Sequence, residues 1–348
     1  MNGNGNRSII STLPINDFNR VLDRLGLEKA WHSILATNLK NLNRPDLDYI
    51  LKEKEFRGAE IQNFDFIKDL TVGEISVLYE YSLAYVDRDK RKQEGQYFTP
   101  DDVAQVMAKK TLAFPQNKVW VDPCSGVSNL SYWLIQCQKN QEEFLKNNIY
   151  LIDRDELALF LARFILAINF QKNDPRLYEN IKSRFVVADF LLSEDLPKYD
   201  YAILNPPYVV VEPDVRFETS TARDLYAYFL ERVIKTTSGF VSITPQTFTN
   251  GQKFNSFRRL LLNNFSDIDV YCFDNVPDNI FRGIKFGSKN TNTANSTRAG
   301  IIVAKQNNTK QVFRITPLLR WRTKERQQLL DSIDSYLTEI TPREDIFP

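Results

Sequence analysis

The sequence has very few of the residues on which metal sites, disulfide frameworks and hydrolytic triads depend. Among its 348 residues are one histidine, His32, and three scattered cysteines, Cys124, Cys137 and Cys272. Zinc sites and disulfide-rich folds use clustered cysteine or histidine, and a Ser-His-Asp triad needs a histidine base. The sequence therefore predicts chemistry that uses neither a metal ion nor a histidine general base.

Long apolar runs and an excess of one charge are also absent. No apolar run reaches the ~18 residues of a membrane-spanning helix, and the first ten residues, MNGNGNRSII, are too polar for a signal peptide. We therefore expect a cytoplasmic protein with no membrane segment. With 45 basic and 44 acidic residues the net charge of +1 says nothing about partners, while a hydrophobic content of 43% allows a large core.

Four apolar segments are each followed by a polar residue, and each has the length and composition of a buried strand. They are residues 118–121 before Asp122, 149–152 before Asp153, 185–188 before Asp189 and 201–204 before Asn205. Helical patterns follow the first two segments. This order predicts an α/β fold with a parallel sheet, whose carboxyl edge carries the four polar residues and is where open α/β folds bind ligands.

The fourth segment ends in the tetrapeptide Asn205-Pro206-Pro207-Tyr208. The Asn205 side-chain oxygen and the Pro206 carbonyl are two acceptors that could hold both hydrogens of a planar amino group. Holding both hydrogens localises the nitrogen lone pair and makes the nitrogen a nucleophile, and Tyr208 offers a ring face on which a flat base can stack. The alternative is an ordinary strand-to-loop turn, because Asn-Pro and Pro-Pro are common there.

Two further motifs precede this one. In GQYFTP, Thr99 is expected to cap a helix with Pro100 at its first position, and the aromatic pair Tyr97-Phe98 could form a wall for a flat ligand. The DPCSGVSNL stretch from Asp122 reads as a small-residue turn between strand and helix, without the G-x-G-x-x-G of dinucleotide enzymes. After the second strand, Asp155 is expected to cap a helix.

In combination these motifs resemble the S-adenosylmethionine-dependent DNA adenine-N6 methyltransferases of restriction–modification systems. The resemblance covers residues 95–305 and rests on the order GQYFTP, DPxxG, NPPY. It implies a Rossmann-like class I methyltransferase fold with a mostly parallel seven-stranded sheet and a late antiparallel strand. Residues 268–274 and 299–304 fit the antiparallel pair, and a helical N-terminal region precedes the sheet.

The resemblance also implies a set of residues that bind the cofactor S-adenosyl-L-methionine. They are Tyr97, Phe98, Thr99, Pro100, Asp122, Pro123, Cys124, Gly126, Asn129, Asp153, Arg154, Asp189 and Phe190. Within this set, Asp122 and Gly126 would hold the methionine end. Asp153 would bind the ribose hydroxyls, and Asp189 with Phe190 the cofactor adenine.

A second implied set is catalytic and comprises Asn205, Pro206, Pro207 and Tyr208. It would orient the N6 amine of an adenine flipped out of double-stranded DNA, with Tyr208 and Phe281 stacking on its two faces. The chain departs from the family at Ser128, where a second glycine is usual. Serine does not take a positive φ freely, so this departure bears on cofactor binding.

Other activities stay open at this stage. The same pair of acceptors would serve a protein glutamine N5-methyltransferase, or methylation of cytosine at N4. A non-catalytic subunit that binds the cofactor and DNA inside a larger assembly is the alternative from another class. Ser128 favours that last reading, whereas the intact NPPY motif opposes it.

Three regions are expected: a helical N-terminal region over 1–94, a catalytic domain over 95–317, and a C-terminal region over 318–348 with a charged helix from about residue 323 to residue 337. Only about 30 residues follow the last strand expected for the sheet, whereas family members read DNA sequence with a large recognition domain or a separate specificity subunit. We therefore expect a recognition partner or a missing C-terminal recognition domain.

Overall fold

The computed structural model describes residues 13–87, 99–281, 285–286, 289–290, 297–306, 311–343 and 347. Two predicted site residues, Tyr97 and Phe98, lie outside these ranges. The described α-helices are α1 (Ile15–Leu25), α2 (Leu27–Asn41), α3 (Val72–Val86), α4 (Asp101–Thr111), α5 (Asn129–Gln136), α6 (Gln141–Asn147), α7 (Glu156–Phe170), α8 (Leu177–Asn180), α9 (Leu225–Thr236), α10 (Asn255–Asn264) and α11 (Arg326–Asp331).

The described strands form one large sheet and a separate small ribbon. They are β1 (Trp120–Asp122), β2 (Ile149–Asp153), β3 (Phe185–Val187), β4 (Tyr201–Leu204), β5 (Gly239–Pro245), β6 (Asp267–Phe273), β7 (Lys285–Phe286), β8 (Lys289–Asn290), β9 (Ala299–Lys305), β10 (Val312–Ile315) and β11 (Thr338–Glu339). The nine-stranded sheet has the order β11-β10-β6-β9-β5-β4-β1-β2-β3, and β7 pairs only with β8.

The predicted parallel sheet with a late antiparallel strand is confirmed. Strands β1 to β5 run parallel, and β9 inserts antiparallel between β5 and β6. Beyond these seven strands the sheet gains β10, which is parallel to β6, and the short edge strand β11. The sheet is therefore two strands wider than expected, and its first four strands bring Asp122, Asp153, Asp189 and Asn205 to one edge.

Strand β4 shows why a fully apolar segment suits the middle of this sheet. It pairs with β1 on one side and β5 on the other, and all its residues are buried. Tyr201 and Ile203 point into the core that holds the N-terminal helices, while Ala202 and Leu204 point into the core formed with α9 and α10. Because helices cover both faces, the strand reads as a continuous apolar run rather than an alternating one.

The single C-terminal helix expected from about residue 323 to residue 337 is wrong. The structure has instead a 3₁₀ turn, the short helix α11, a second 3₁₀ turn from Ile333 to Tyr336 and then β11. Asp334 accepts a hydrogen bond from the Tyr271 hydroxyl at 2.7 Å and pairs with Lys110. These contacts fasten the second turn to β6 and α4, which a continuous helix would not allow.

The N-terminal helices pack on α5 and α7, two helices that flank the sheet, rather than forming a detached unit. Trp31 in α2 is fully buried and donates its indole N–H to Ser82 of α3 at 2.9 Å. Thr71 and Glu74 form a capping box at the start of α3. Arg163 of α7 binds Glu55 at 2.9 Å, which joins the N-terminal region to the helix that follows β2.

Among the described residues, no helix is long and apolar enough to cross a membrane.

Arg326 joins the C-terminal segment to the rest of the fold. It is 2% exposed, and its Nε and Nη2 donate to the Asp102 carboxylate at 2.6 and 2.9 Å. Its Nη1 and Nη2 also donate to the carbonyls of Asn279 and Ile280. All three guanidinium nitrogens are therefore used, so one side chain connects α4, α11 and the segment that ends in Phe281.

We expect Arg326→Ala to lower the free energy of unfolding by ~3 kcal/mol, because it leaves the Asp102 carboxylate, only 13% exposed, without its partner. Urea denaturation measures this loss. Arg20→Ala is the control, since Arg20 binds Asp17 with a side chain 79% exposed, and it should leave the midpoint unchanged. Equal midpoints for the Arg326 variant and the unmodified protein would contradict this account.

Candidate active site

A cavity of about 190 Å³ opens at the carboxyl edge of the sheet. It lies beside the ends of β1 and β2 and the segments that follow β3 and β4. Twelve of the predicted site residues line it: Thr99, Asp122, Pro123, Cys124, Gly126, Asn129, Asp153, Arg154, Asp189, Phe190, Asn205 and Pro207. Residues spread over more than 100 positions of sequence thus meet around one space.

Four predicted residues of the described ranges do not line this cavity. Pro100 is the N-cap residue of α4, and Pro206 is buried behind the corner. Tyr208 and Phe281 lie together beyond Asn205, as described below. The structure therefore separates the predicted set into a cavity and an adjoining aromatic corner.

The turn after β1 brings polar atoms into the cavity wall. Asp122 is 1% exposed, and its Oδ2 accepts a hydrogen bond from Ser131 at 2.8 Å. Gly126 has a φ of +48°, a backbone conformation that favours glycine, and its N–H donates to Asp153 Oδ2 at 2.8 Å. This bond ties the first turn to the acid at the end of β2.

Two buried carboxylate or amide oxygens in this wall have no hydrogen-bond partner among the described residues. They are Asp122 Oδ1 and Asn129 Oδ1. The Asn129 amide is fixed because its Nδ2 donates to the Thr99 carbonyl at 2.8 Å. Buried acceptors are rarely left without a donor, so the wall suits a ligand with several N–H donors and a positive charge.

Ser128 adopts a left-handed backbone conformation, which favours glycine. Its φ is +75° and its ψ is 23°, in the left-handed region, and it immediately precedes α5. The side chain is fully buried, and its hydroxyl has no partner within the described ranges. The turn therefore forms with serine, at the cost of backbone strain and an unsatisfied hydroxyl.

Burial makes two of the cavity acids, Asp122 and Asp153, harder to ionise. It raises the pKa of Asp122 to about 7, and the nearby Asp153 carboxylate adds to the effect. Burial likewise raises the pKa of Asp153. It also raises the pKa of the Cys124 thiol, which lies in the turn that follows Asp122. A bound cation would favour the charged form of Asp122. The described residues hold no cluster of three or more His, Cys, Asp or Glu arranged as metal ligands.

Asp155 caps α7, as the sequence predicted, and thereby differs from Asp153. Its Oδ1 accepts from the N–H groups of Leu157 and Ala158 at 3.0 and 3.1 Å. Its Oδ2 accepts from the Tyr79 hydroxyl at 2.6 Å. Among the described residues, Asp153 accepts hydrogen bonds from the backbone N–H groups of Gly126 and Asp155 and from no side chain, although both acids line the cavity.

Asp189 and Phe190 form the far end of the cavity. Asp189 Oδ1 accepts from the Leu191 N–H at 2.9 Å, while Arg154 lies 3.8 Å from Oδ2. Phe190 stacks on Phe229, with ring centroids 5.6 Å apart and planes at 23°. A flat ligand at this end would meet one carboxylate and an apolar, aromatic wall.

The Asn205 side chain is oriented by a residue of the GQYFTP motif. Its Nδ2 donates to Thr99 Oγ1 at 2.9 Å. Thr99 was expected to cap α4, and this was wrong: the N-cap residue is Pro100, and no side chain caps the helix. Because the amide nitrogen is engaged by Thr99, the acceptor Oδ1 points to the other side, toward Tyr208.

Tyr208 and Phe281 close the corner beyond Asn205. The Tyr208 hydroxyl lies 2.7 Å from Asn205 Oδ1 and 3.0 Å from the Ile243 carbonyl, so it occupies the acceptor predicted for an amine. The two rings meet edge to face, with centroids 5.9 Å apart and planes at 66°. A base held between parallel ring faces requires this pair to separate.

Helix α3 supplies a cavity wall that the sequence reasoning missed. Ser76, Tyr79 and Glu80 line the cavity from the N-terminal region. Their spacing of i, i+3 and i+4 puts them on one face of a largely apolar helix. That polar face was the available signal, but nothing in the sequence indicated that it meets the carboxyl edge of the sheet.

The chain is similar in sequence to known methyltransferases of restriction–modification systems. The family description that matches is "Eco57I restriction-modification methylase", over residues 147–281. The type II methyltransferase M.PstI of Providencia stuartii is 25% identical over 223 residues, which cover 58% of this chain and 42% of M.PstI. The resemblance to restriction–modification DNA methyltransferases is confirmed. The chain thus spans less than half the length of this relative.

Solved structures share the fold. A cryo-EM structure of a DrdV–DNA complex superposes with a TM-score of 0.62 at 15% identity, over 86% of this chain and 36% of that one. A class I S-adenosylmethionine-dependent methyltransferase from Listeria monocytogenes gives 0.50 at 13% identity, over 92% and 98% of the two chains. The Rossmann-like class I methyltransferase fold is confirmed.

Asp122 should make the ligand-free protein less stable as pH rises through about 7. Burial raises its pKa to about 7, well above that of an aspartate in the unfolded chain, so the folded state binds a proton that the unfolded chain has already released. Its contribution to stability is present below the unfolded pKa and is lost on passing 7. Urea denaturation at several pH values should show this fall, and Asp122→Asn should remove it. Parallel profiles for the two proteins would refute the assignment.

Ser128→Gly should stabilise the protein. Glycine relieves the left-handed strain of ~1–2 kcal/mol and removes a buried, unpaired hydroxyl, against a backbone-entropy cost of ~0.5–1 kcal/mol. Ser128→Ala is the matched control, because alanine loses the hydroxyl but keeps the strain. Thermal denaturation should rank glycine above alanine. A glycine variant less stable than the serine protein would show that the strain is absent.

Proposed function

We propose that this chain transfers a methyl group from S-adenosylmethionine to the exocyclic N6 amine of adenine in double-stranded DNA. The observation that carries the proposal is the Asn205 amide, which Thr99 orients at 2.9 Å so that its oxygen is an acceptor at the junction of cavity and aromatic corner. The similarity to restriction–modification methyltransferases supports DNA as the substrate and such a system, or a related defence system, as the setting.

The cavity has a chemistry that suits this cofactor, which would supply an electrophilic methyl group on a sulfonium. Asp122 Oδ1 and Asn129 Oδ1, the buried acceptors without partners among the described residues, would take the ammonium of the methionine end. Asp153 would accept the ribose hydroxyls. Asp189 and Phe190 would hold the adenine ring.

The catalytic work falls to the Asn205 corner. Asn205 Oδ1 and the Pro206 carbonyl accept the two amine hydrogens, which localises the nitrogen lone pair and aims it at the cavity. For the amine to reach Asn205 Oδ1, the hydrogen bond from the Tyr208 hydroxyl to that oxygen must first break. The freed Tyr208 ring can then stack on the base opposite Phe281, and the product nitrogen releases its proton to solvent.

The regional division follows from this assignment. We assign the methyltransferase unit to residues 95–317, with α3 of the region 1–94 lining its cavity and β11 of the region 318–348 pairing with β10. A recognition partner, or a recognition domain outside this chain, reads the DNA sequence. Because the proposed substrate is bacterial DNA, we propose that the protein acts in the cytoplasm.

The test is expression in a bacterium that lacks DNA methylation, followed by mass spectrometry of its nucleosides. N6-methyladenine should appear with the unmodified chain and a recognition partner where one is needed. Asn205→Ala should reduce it by about two orders of magnitude or more, as when a key hydrogen-bonding group is lost at a reacting centre. Cofactor affinity should be kept, since Asn205 faces the amine.

Other products would identify other functions. N4-methylcytosine would move the target to cytosine, and a methylated glutamine in a protein would make the chain a protein methyltransferase. Cofactor and DNA binding without any product would leave the scaffold role. Full N6-methyladenine formation by Asn205→Ala would exclude the proposed mechanism.

A further inference from the structure

Two arginines from distant positions share one buried carboxylate near the target corner. Asp274 directly follows β6 and is 3% exposed. Its Oδ1 accepts from Arg298 Nε at 3.0 Å, and its Oδ2 accepts from Arg320 Nε at 2.5 Å. Arg298 immediately precedes β9, and Arg320 follows β10. We call these three residues the arginine clamp.

The guanidinium groups of the clamp are only partly used. Arg298 and Arg320 have side chains 54% and 65% exposed, and within the described ranges each donates through Nε alone. Arg326 is the contrast, because it is buried and uses all three nitrogens to hold the fold. The clamp therefore presents two sets of Nη donors to solvent.

The clamp has a net charge of +1 at neutral pH. Burial opposes ionisation of Asp274, but hydrogen bonds from Arg320 and Arg298 outweigh it and lower the pKa of the carboxyl. The charged carboxylate fixes both guanidiniums by their Nε edges, leaving their Nη edges directed outward. Such fixed forks match the geometry of phosphate oxygens.

The clamp lies on the same sheet edge as Asn205. The order across the sheet is β4, β5, β9, β6, β10, and neighbouring strands are ~4.8 Å apart, so Arg298 beside β9 and Asp274 after β6 are two and three strand spacings from β4, or roughly 10–14 Å. Asp274 and Phe281 also delimit one short segment, 274–281. A DNA strand whose base enters the corner would carry its neighbouring phosphates past this position.

We propose that Arg298 and Arg320 bind backbone phosphates of the DNA strand that carries the target base. The proposal deepens the proposed function and rests on DNA being the substrate. Asp274 is a positioning residue that keeps the two guanidiniums in register, and the contact is independent of base sequence. The clamp thus holds the strand while a partner supplies sequence recognition.

The first test is the salt dependence of binding to a short fluorescein-labelled duplex, measured by anisotropy. Each phosphate contact contributes ~0.9 to the slope of log affinity against log salt, or about tenfold near 0.1 M salt. Arg298→Ala and Arg320→Ala should each weaken binding by about that factor, and the double variant should lower the slope by nearly two. Lysine at both positions should keep most of the slope.

The control is Arg176→Ala. Arg176 is also an exposed arginine bound to a carboxylate, with a side chain 63% exposed. It precedes β3, however, which is the outermost strand at the end of the sheet away from the clamp. It should leave both affinity and slope unchanged. The proposal is overturned by an unchanged slope in the double variant, by an equal loss with Arg176→Ala, by weakened cofactor binding in the double variant, or by no duplex binding at all.

A second test locates the phosphates. The duplex carries an adenine opposite an abasic site, which makes flipping easy, and neutral methylphosphonates on either side of that adenine. The unmodified chain should bind this duplex more weakly than its fully charged counterpart, whereas the double variant should not distinguish the two. An equal loss in both proteins overturns the assignment. Both tests measure DNA binding and require no methyl transfer. A chain that binds DNA through the clamp but transfers no methyl group would therefore still pass them.

Discussion

The hydrogen bond from Asn205 to Thr99 is the contact on which the rest of the site depends. It joins residues 106 positions apart, one before α4 and one after β4. An amide has one donor end and one acceptor end, so occupying the donor end fixes where the acceptor points. The strand packing that brings Thr99 to this place therefore determines the chemistry of Asn205, which a free asparagine in a turn would leave undefined.

Burial has opposite consequences for folding and for ligand binding in the cavity. Because Asp122 is buried, its carboxyl has a pKa of about 7, and one of its oxygens has no donor among the described residues. Ser128 adds a strained backbone beside it. These are unfavourable in the ligand-free protein, and a cationic ligand with N–H donors would relieve the first two. The turn is thus organised for a bound state rather than for stability.

The sequence was sufficient for those parts of the molecule that local pattern controls. Asp122, Asp153, Asp189 and Asn205 converge because parallel strands end at one edge, and apolar runs mark such strands clearly. The hydroxyl of Thr99 and the cavity face of α3 depend on packing between distant segments, and no local pattern encodes them. Strand β11 escaped prediction for the same reason, since its two residues become a strand only by pairing with β10. The edge-to-face contact of Tyr208 with Phe281 likewise belongs to the tertiary structure.

Along the carboxyl edge, acidic side chains outnumber Arg154 on one side of Asn205, and the two clamp arginines outnumber Asp274 on the other. The ends of β1 and β2 and the segment after β3 carry Asp122, Asp153 and Asp189, whereas Arg298 and Arg320 lie beyond β5, next to β9 and β10. Asn205 stands between the two groups at the end of β4. A positively charged methyl donor and a polyanionic strand would therefore approach from opposite sides and meet at an uncharged amide. Because Asn205 carries no charge, it would bind an amine through its oxygen without drawing either charged partner out of place, which is a physical argument for an amide rather than a carboxylate at this position.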